Sequence, residues 1–408
     1  MAYGCYSCRV PTRRSFLKLA VTPGIAGAAP ILRSAGRRVV VVGAGAFGGW
    51  TALWLIRRGA RVTIVDAWGP GNTRASSGGE TRVIRAAYGD RVVYTRMAAR
   101  ALRLWREFER ESGLQFYFRT GALWMFGKDD PFIAASVSAM RAAAVPVERV
   151  ALDAARRRWP QIQFDGVTSL MFEPDAGYLL ARQSCARVLE RARARGAHYR
   201  IAAAQPSSVS GRVRRLALAD GESISADAFV FACGPWLGQL FPDVLGARVR
   251  STRQEVLYFG TGAGDALFNE PALPVWVDFG DRLIYGIPGN AHRGFKVADD
   301  SAGPEFDPTT GNRENSPEQI ASARAFLRRR FPALSDAPYL GGEVCQYESS
   351  PDSHFIVDRH PRAGNVWLVG GGSGHGFKMG PAVGEMVASL VLSDATPDPQ
   401  FRLDRFKS

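Results

Sequence analysis

Residues 37–49 read Arg-Arg-Val-Val-Val-Val-Gly-Ala-Gly-Ala-Phe-Gly-Gly, an apolar strand that runs directly into a glycine-rich turn. A helical pattern follows, and a second apolar run, Val62–Val65, ends at Asp66. β-Branched residues favour strands. A strand, a glycine turn, a helix and a second strand that ends in an acid form the pattern of a dinucleotide-binding βαβ unit.

Each feature of that pattern has a physical purpose in such units. Gly43 permits the tight turn, Gly45 lets the backbone approach a pyrophosphate, and Gly48 allows the helix to pack closely on the strand. The helix N-terminus offers free N–H groups to phosphates, and Asp66 stands where an acid binds a ribose hydroxyl. The alternative is an ordinary glycine-rich turn. The motif alone does not separate a flavin from a nicotinamide nucleotide.

The composition limits the class of protein. The chain has 408 residues, 46% hydrophobic and 22% charged, which indicates a globular protein of two domains. Apolar runs stay below the ~18 residues of a spanning helix, so we expect no integral membrane segment. The net charge is +14, but the body lacks a basic tract interleaved with aromatic residues. This distribution argues against nucleic-acid binding.

The first 37 residues resemble an export signal. Thr12-Arg13-Arg14-Ser15-Phe16-Leu17-Lys18 precedes a mildly apolar, acid-free stretch, which is the twin-arginine pattern. Arginine pairs recur elsewhere in this arginine-rich chain, so a chance pair is the alternative. The twin-arginine pathway exports folded proteins, so we expect its machinery as a partner and a periplasmic or extracellular location. Cys5 and Cys8 are interpreted as incidental, and we predict no metal site.

Helix-rich and strand-rich stretches alternate along the chain. This alternation predicts an α/β protein in which two domains are interleaved. Residues 38–90, 166–245 and 346–408 are assigned to the nucleotide-binding domain. Residues 91–165 and 246–345 are assigned to an α+β substrate domain with a large mixed or antiparallel sheet.

The scarcity of lysine points to two positions. The chain has 52 basic residues, and five of them are lysines. Lys296 and Lys378 both follow a Gly-Phe pair. Lysine is a compact charge whose pKa shifts on burial, whereas arginine stays charged. We therefore predict that both lysines belong to a functional site, the alternative being chance surface residues.

Four motifs occur in an order that carries a resemblance. They are Gly43–Gly49, Thr81-Arg82-Val83-Ile84-Arg85-Ala86-Ala87-Tyr88, Gly342-Glu343-Val344-Cys345-Gln346-Tyr347 and Gly374-His375-Gly376-Phe377-Lys378. Over about residues 38–395 the chain resembles the monomeric sarcosine oxidase and N-methyltryptophan oxidase subgroup of the D-amino-acid-oxidase-like FAD-dependent oxidoreductases. The resemblance implies a monomer with a Rossmann-like FAD-binding domain interleaved with the substrate domain.

The resemblance also implies how the cofactor is held. Cys345 would bind FAD covalently through a thioether, although from the residues alone it is a buried free thiol. Arg82 would lie against the isoalloxazine ring. Gly374 and Gly376 would let the backbone approach the flavin, and Lys378 would follow them beside it.

By the same resemblance, Arg85 and Lys378 would bind a substrate carboxylate. Two cations from distant segments would fix the carboxylate and place the adjacent C–H bond near flavin N5. Tyr347 and Tyr285 would line the pocket. Lys296 would promote the reaction with oxygen, because a fixed positive charge stabilises superoxide.

Two positions depart from the subgroup. Gly78 stands where the sarcosine oxidases have a histidine before the Thr-Arg pair, and Asp300 replaces a histidine four residues after Lys296. The pocket therefore differs, which argues against sarcosine itself as the substrate. His375 is a weaker candidate for a catalytic base, because a glycine loop more often serves to approach the flavin.

The leading hypothesis is FAD-dependent oxidation of a secondary, N-methylated or related amino acid. Hydride transfer to flavin N5 would be followed by imine hydrolysis, and O₂ would be reduced to H₂O₂. One alternative keeps the fold but passes electrons to a quinone or carrier protein. A second alternative is a flavin-containing binding protein without turnover.

Overall fold

A computed structural model describes residues 36–406, except for residues 129, 207–208, 247 and 263. The described residues form strands in four sheets, and α-helices that cover or connect them. The strands, in chain order, are β1 (Arg38–Val42), β2 (Arg61–Asp66), β3 (Thr81–Ile84), β4 (Tyr117–Phe118), β5 (Ala122–Phe126), β6 (Glu148–Arg149), β7 (Ser169–Glu173), β8 (Gly177–Leu180), β9 (His198–Ile201), β10 (Ala204–Gln205), β11 (Arg215–Leu218), β12 (Ser223–Ser225), β13 (Ala228–Phe231), β14 (Arg250–Phe259), β15 (Val275–Phe279), β16 (Leu283–Ile287), β17 (Phe295–Asp299), β18 (Tyr339–Ser349), β19 (Ile356–His360) and β20 (Ala363–Gly370).

The helices connect these strands or pack on their faces. In chain order they are α1 (Ala46–Arg57), α2 (Val92–Ser112), α3 (Pro131–Ala142), α4 (Leu152–Arg158), α5 (Ala181–Ala194), α6 (Leu237–Leu240), α7 (Pro242–Leu245), α8 (Pro317–Arg330) and α9 (Gly380–Ser393). None in the described part of the chain is both long and apolar enough to cross a membrane.

A six-stranded sheet forms the nucleotide side of the molecule. Its strand order is β19-β20-β13-β1-β2-β9, and all neighbours are parallel except the edge pair β19 and β20. The valine run of β1 lies at the centre and is almost fully buried, as expected for a parallel strand covered on both faces. The predicted βαβ unit is therefore present.

The N-terminal and C-terminal parts of the chain meet in this domain. Helix α1 packs on α9, where Gly384 comes close to the backbone of Trp50. The Arg37 guanidinium donates a hydrogen bond of 2.7 Å to the carbonyl oxygen of Val391 and pairs with Asp394. The sheet is thus completed by strands and a helix from the last sixth of the sequence.

An eight-stranded mixed sheet forms the other side. Its order is β18-β14-β17-β16-β15-β5-β7-β6, antiparallel except where β15 runs parallel to β5. Aromatic rings fill its core, with Trp276 stacked on Phe295 and Phe326 at centroid distances of 5.7 and 5.3 Å. The predicted α/β fold with a large mixed sheet in the second domain is confirmed.

Sheet membership differs from the predicted domain boundaries in two places. Strand β7 was assigned to the nucleotide-binding segments but lies in the eight-stranded sheet, and β18 crosses the boundary at residue 345. Helix α2 was assigned to the substrate domain, yet Trp105 on it packs against Trp50 of α1 at 5.1 Å. Apolar periodicity identifies a buried face but not the layer that covers it. The predicted export signal lies almost entirely outside the described residues.

Candidate active site

The glycine turn after β1 has the close packing that its sequence predicts. Gly43 has φ of +106°, and a Cβ built there would lie 2.2 Å from the carbonyl oxygen of Ala232. A Cβ on Gly48 would lie 1.9 Å from the carbonyl oxygen of Gly43. Side chains are therefore excluded at both positions, and the start of α1 is held tightly against the ends of β1 and β13.

Asp66 ends β2 beside this turn. Its carboxylate accepts hydrogen bonds from the backbone N–H groups of Ala44 and Gly69, both at 2.7 Å, and of Trp68 at 2.9 Å. The exposed Trp68 ring lies 4.7 Å from that of Trp236. Asp66 is thus fixed at the rim of the cleft, where an acid can reach ribose hydroxyls.

One long cleft joins these groups to the second domain. It runs from Asp66 past Gly45 to Cys345, Gly374 and Phe377. Glycine backbone lines the middle, where a Cβ on Gly45 would crowd the Ser77 hydroxyl at 3.3 Å. The residues therefore fit FAD: the first glycine turn would hold the ADP half, and the residues around Cys345 would hold the flavin. No metal-binding group of His, Cys, Asp or Glu is found within the described ranges.

Strand register explains how the second domain contributes its part. Side chains alternate between the faces of a sheet, so residues two apart point the same way. Lys296 on β17 therefore shares a face with Asp300, and Cys345 on β18 shares a face with Tyr347. Tyr285 pairs with Ala298, which places its ring beside the same strand. Cys345 and Tyr347 line the cleft, and the other three side chains lie on the same face of the sheet beside them.

Cys345 is in contact with Arg82 at this end. Arg82 Nη2 donates to Cys345 Sγ at 3.3 Å and to the carbonyl oxygen of Ser76 at 2.8 Å. Burial opposes the Arg82 charge, but neighbours led by Cys345 and Tyr285 outweigh it, so the pKa of Arg82 is raised. A buried permanent cation therefore lies against the thiol.

Lys296 is buried next to this pair. Its side chain is 1% exposed, and Nζ donates to the carbonyl oxygen of Thr81 at 3.0 Å. Burial, followed by repulsion from Arg82, lowers the pKa of Lys296 to about 7. Nζ also lies 5.8 Å from the centre of the Tyr285 ring. The protonation of the Lys296 amine therefore depends on its burial and on the charge of Arg82.

Arg85 and Lys378 come together on one aromatic ring. Arg85 Cζ lies 4.4 Å and Lys378 Nζ 5.5 Å from the centre of the Tyr88 ring. Arg85 Cζ is also 5.1 Å from the Trp124 ring, and Lys378 Nζ donates to the carbonyl oxygen of His375 at 3.0 Å. Burial and the charge of Arg85 hold the pKa of Lys378 well below its usual range. Two cations from distant segments therefore share one small region.

Tyr347 lies between the glycine loop and Asp300. Tyr347 Oη donates to Asp300 Oδ1 at 2.5 Å, and a Cβ on Gly374 would lie 2.8 Å from the Tyr347 ring. Burial raises the pKa of Tyr347 well above its usual value, and it raises that of Tyr285 to about 12. Both phenols stay protonated at neutral pH and can donate hydrogen bonds.

His375 is engaged by its neighbours. Its Nε2 lies 3.0 Å from the carbonyl oxygen of Ser353, so Nε2 carries the proton, and Nδ1 can accept from Tyr88 Oη at 3.3 Å. Its ring stacks on Phe355 at 4.7 Å. Burial, with repulsion from Lys378, keeps its pKa well below normal. These contacts favour a neutral, positioning histidine.

The structure adds two carboxyl groups that sequence reasoning missed. Glu173 accepts hydrogen bonds from the Ala86 and Ala87 N–H groups and from Trp124 Nε1, and so fixes the loop after Arg85. Glu348 lines the cofactor cleft and accepts from Gly371 N–H at 2.9 Å. Glu348 could have been found from the sequence, because it adjoins the Cys345 motif. No nearby motif points to Glu173.

A family model and several curated proteins match most of this chain. A family model described as FAD dependent oxidoreductase matches residues 38–390. Monomeric sarcosine oxidase of Bacillus sp. (strain B-0618) is 33% identical, with 88% of this chain and 93% of that protein covered. N-methyl-L-tryptophan oxidase of Salmonella dublin is 28% identical, with 90% and 98% covered.

Solved structures share the fold. L-proline dehydrogenase from P. horikoshii superposes with a TM-score of 0.78 at 21% identity, covering 91% of this chain and 98% of that one. Fructosamine oxidase (Amadoriase II) from Aspergillus fumigatus gives 0.75 at 20% identity, covering 91% and 90%. The resemblance carried by four short motifs thus extends over residues 38–390, and the chain belongs to the family of FAD-dependent oxidoreductases.

Proposed function

We propose that this enzyme oxidises an amino acid with a secondary, N-methylated or related amine, and that O₂ accepts the electrons and becomes H₂O₂. The observation that carries the proposal is the meeting of Arg85 and Lys378 on the Tyr88 ring, where Lys378 directly follows Phe377 of the cleft lining. A guanidinium and an ammonium so placed can hold one carboxylate. The names of the sarcosine and N-methyltryptophan oxidases that it resembles support the same substrate class.

Positioning is the main task of the protein residues in this reaction. Arg85 and Lys378 hold the carboxylate, which fixes the α-carbon and amine relative to the cleft. Tyr347 and Tyr285, both protonated, border the same space. FAD, when bound, supplies a two-electron acceptor that O₂ can reoxidise. Hydrolysis of the resulting imine needs only water.

Lys296 and Cys345 complete the proposal on the cofactor side. Lys296 supplies a positive charge that stabilises the superoxide formed when oxygen is reduced. Cys345 would hold FAD through a thioether, which its position in the lining of the cleft, next to Arg82, supports. The proposal also places Arg82 against the isoalloxazine ring and lets the backbone approach the flavin at Gly374 and Gly376.

Anaerobic mixing of the holoenzyme with a panel of N-methyl amino acids tests the function. We expect at least one to bleach the flavin absorbance, and air to restore it with formation of H₂O₂. Bleaching that a quinone reverses but air does not would indicate a dehydrogenase. No bleaching by any candidate would favour a flavin-containing binding protein.

The carboxylate contact has its own variant test. Arg85→Met should weaken binding of carboxylate substrates by about 10- to 100-fold, the value of a hydrogen bond to a charged group. Arg110→Met, which removes an exposed arginine of α2, is the matched control. Equal affinities in the two variants would contradict the assignment of Arg85.

We also propose that residues 1–37 direct export by the twin-arginine pathway, and that the enzyme acts as a monomer in the periplasm or outside the cell. The support is the Arg13-Arg14 pair with the acid-free apolar stretch after it. Replacing both arginines by lysine should retain the enzyme in the cytoplasm, which cell fractionation measures. Sedimentation of the purified enzyme tests the monomer.

A further inference from the structure

Asp300 is a carboxylate that the proposed function does not use, and it is hydrogen-bonded to Tyr347, which lines the cleft. It follows β17 directly, and its N–H donates to the carbonyl oxygen of Leu283 at 2.9 Å. Alternation along the strand places it on the same face as Lys296. Its backbone is therefore fixed at the end of β17.

The side chain of Asp300 has a fixed orientation. Tyr347 Oη donates to Oδ1 at 2.5 Å, and the Tyr347 ring is confined by the backbone of Gly374. Within the described residues, Tyr347 is the one hydrogen-bond donor to this carboxylate, so Oδ2 keeps its capacity to accept. One oxygen is thus anchored by the protein while the other remains for a ligand.

Asp300 also lies within the electrostatic reach of both cations. Burial raises the pKa of Asp300 above its usual value, and the Tyr347 hydrogen bond and the charges of Arg85 and Lys378 only partly oppose this. Yet no ion pair joins Asp300 to either cation in the described part of the chain. Positive and negative groups therefore face one region without neutralising each other, as a zwitterionic ligand requires.

We propose that Asp300, anchored by Tyr347, recognises the positively charged nitrogen of the substrate, opposite the carboxylate held by Arg85 and Lys378. This inference rests on the proposed carboxylate contact and makes Asp300 a specificity residue of that site. The enzyme then selects zwitterions, including those with a tertiary or quaternary nitrogen, over carboxylates with an uncharged end. In an oxidisable substrate, the N–H group of the ammonium donates a hydrogen bond to Asp300 Oδ2.

Two ligands of equal shape and different charge test this proposal without turnover. Trimethylammonioacetate and 3,3-dimethylbutanoate differ in having N⁺ or carbon at the branched centre, and neither has an oxidisable amine. Each is titrated into the oxidised holoenzyme, and Kd is taken from the change in flavin absorbance. We expect the wild-type enzyme to bind the cationic ligand about tenfold or more tightly, because Coulomb attraction is strong in a part-buried site.

Asp300→Asn should bring the two Kd values together, mainly by weakening trimethylammonioacetate. Asp300→Ser is a second neutral variant if the first does not fold. Asp299→Asn is the matched control, because Asp299 is the adjacent residue and pairs with Arg282 at 2.9 Å instead. That control should keep the wild-type Kd ratio.

The outcomes separate this proposal from the function on which it rests. If both ligands bind and Asp300→Asn leaves their Kd ratio unchanged, the role of Asp300 is wrong while the carboxylate contact stands. If the ratio changes but no N-methyl amino acid bleaches the flavin, charge recognition stands and the oxidation does not. If neither ligand binds wild-type enzyme, both the carboxylate contact and the role of Asp300 are overturned.

Discussion

Lys296 Nζ donates a hydrogen bond of 3.0 Å to the carbonyl oxygen of Thr81, a residue 215 positions earlier in the chain. The bond joins β17 of the large sheet to β3, in which Thr81 is followed by Arg82. The amine is thereby held beside a second cation instead of pairing with an acid. A charge kept unpaired in a buried place is a common feature of functional sites.

Replacement of Lys296 by methionine should therefore affect the reaction with oxygen most. We expect reoxidation of the reduced flavin by O₂ to slow by about 100-fold or more, because an electrostatic contact of this kind contributes several kcal/mol. Anaerobic reduction by substrate should change much less. Stopped-flow absorbance measures both steps. Lys128→Met, at an exposed lysine, is the control, and equal oxygen reactivity in the two variants would refute the role of Lys296.

Cys345 and Cys233 both line the cofactor cleft, which allows a matched test of covalent attachment. Acid precipitation of the wild-type enzyme should give a yellow pellet, and Cys345→Ser a colourless one with FAD in the supernatant. Cys233→Ser should retain the yellow pellet. A colourless pellet from flavin-loaded wild-type protein would rule out the thioether.

Glu173 should matter for both stability and substrate binding. Its carboxylate accepts from two backbone N–H groups and one indole, so Glu173→Gln turns an acceptor into a donor beside buried donors. We expect a loss of about 1–3 kcal/mol in the free energy of unfolding and weaker carboxylate binding through displacement of Arg85. Urea denaturation and ligand titration measure the two effects. Glu305→Gln, at an exposed position, should change neither.

The raised pKa of Glu348 predicts how the stability of the protein changes with pH. Burial raises its pKa from 4.5 to about 7, and the Gly371 and Gly372 N–H groups only partly oppose this. Because the folded pKa exceeds the unfolded one, the stabilisation is complete below pH 4.5 and is lost as the pH rises through 7. A shift of this size corresponds to about 3 kcal/mol.

Glu348→Gln should therefore flatten the decline in the stability of the apoprotein between pH 5 and 7. The lowered pKa of Lys296 acts in the opposite direction, with stability rising above pH 7, and the difference in slope between the variant and the wild type below pH 7 assigns the effect to Glu348. Thermal midpoints across this range measure the slope. A variant that retains the wild-type slope would show that Glu348 titrates normally.

The βαβ unit could be predicted because its chemistry is local. The positive φ of Gly43 and the contact of Gly48 with the Gly43 carbonyl arise within a few residues, and so they leave a recognisable pattern. The residues of the second domain that face the flavin were found by resemblance. Their meeting depends on the register of β14, β17 and β18, which only long-range pairing determines.

Glu173 shows why other residues of the site could not be predicted from the sequence. It is 1% exposed and ends β7, an inconspicuous strand far from the Arg85 motif in sequence. Its structural role depends on three hydrogen-bond donors from other segments, and the spacing of residues in the sequence does not predict such a contact. Asp300 was visible as a departure from the family, but its partner Tyr347 could be identified only from the folded chain.

The order of strands in the six-stranded sheet also constrains when the enzyme can mature. The glycine turn at Gly43 is among the first parts of the body to leave the ribosome, but β20 and α9, which complete its surroundings, are among the last. A nascent chain thus carries the nucleotide motif for most of its synthesis without the partners that form the cleft. Stable FAD loading must follow release of the chain, so a twin-arginine leader would have to wait for the cofactor step before transport.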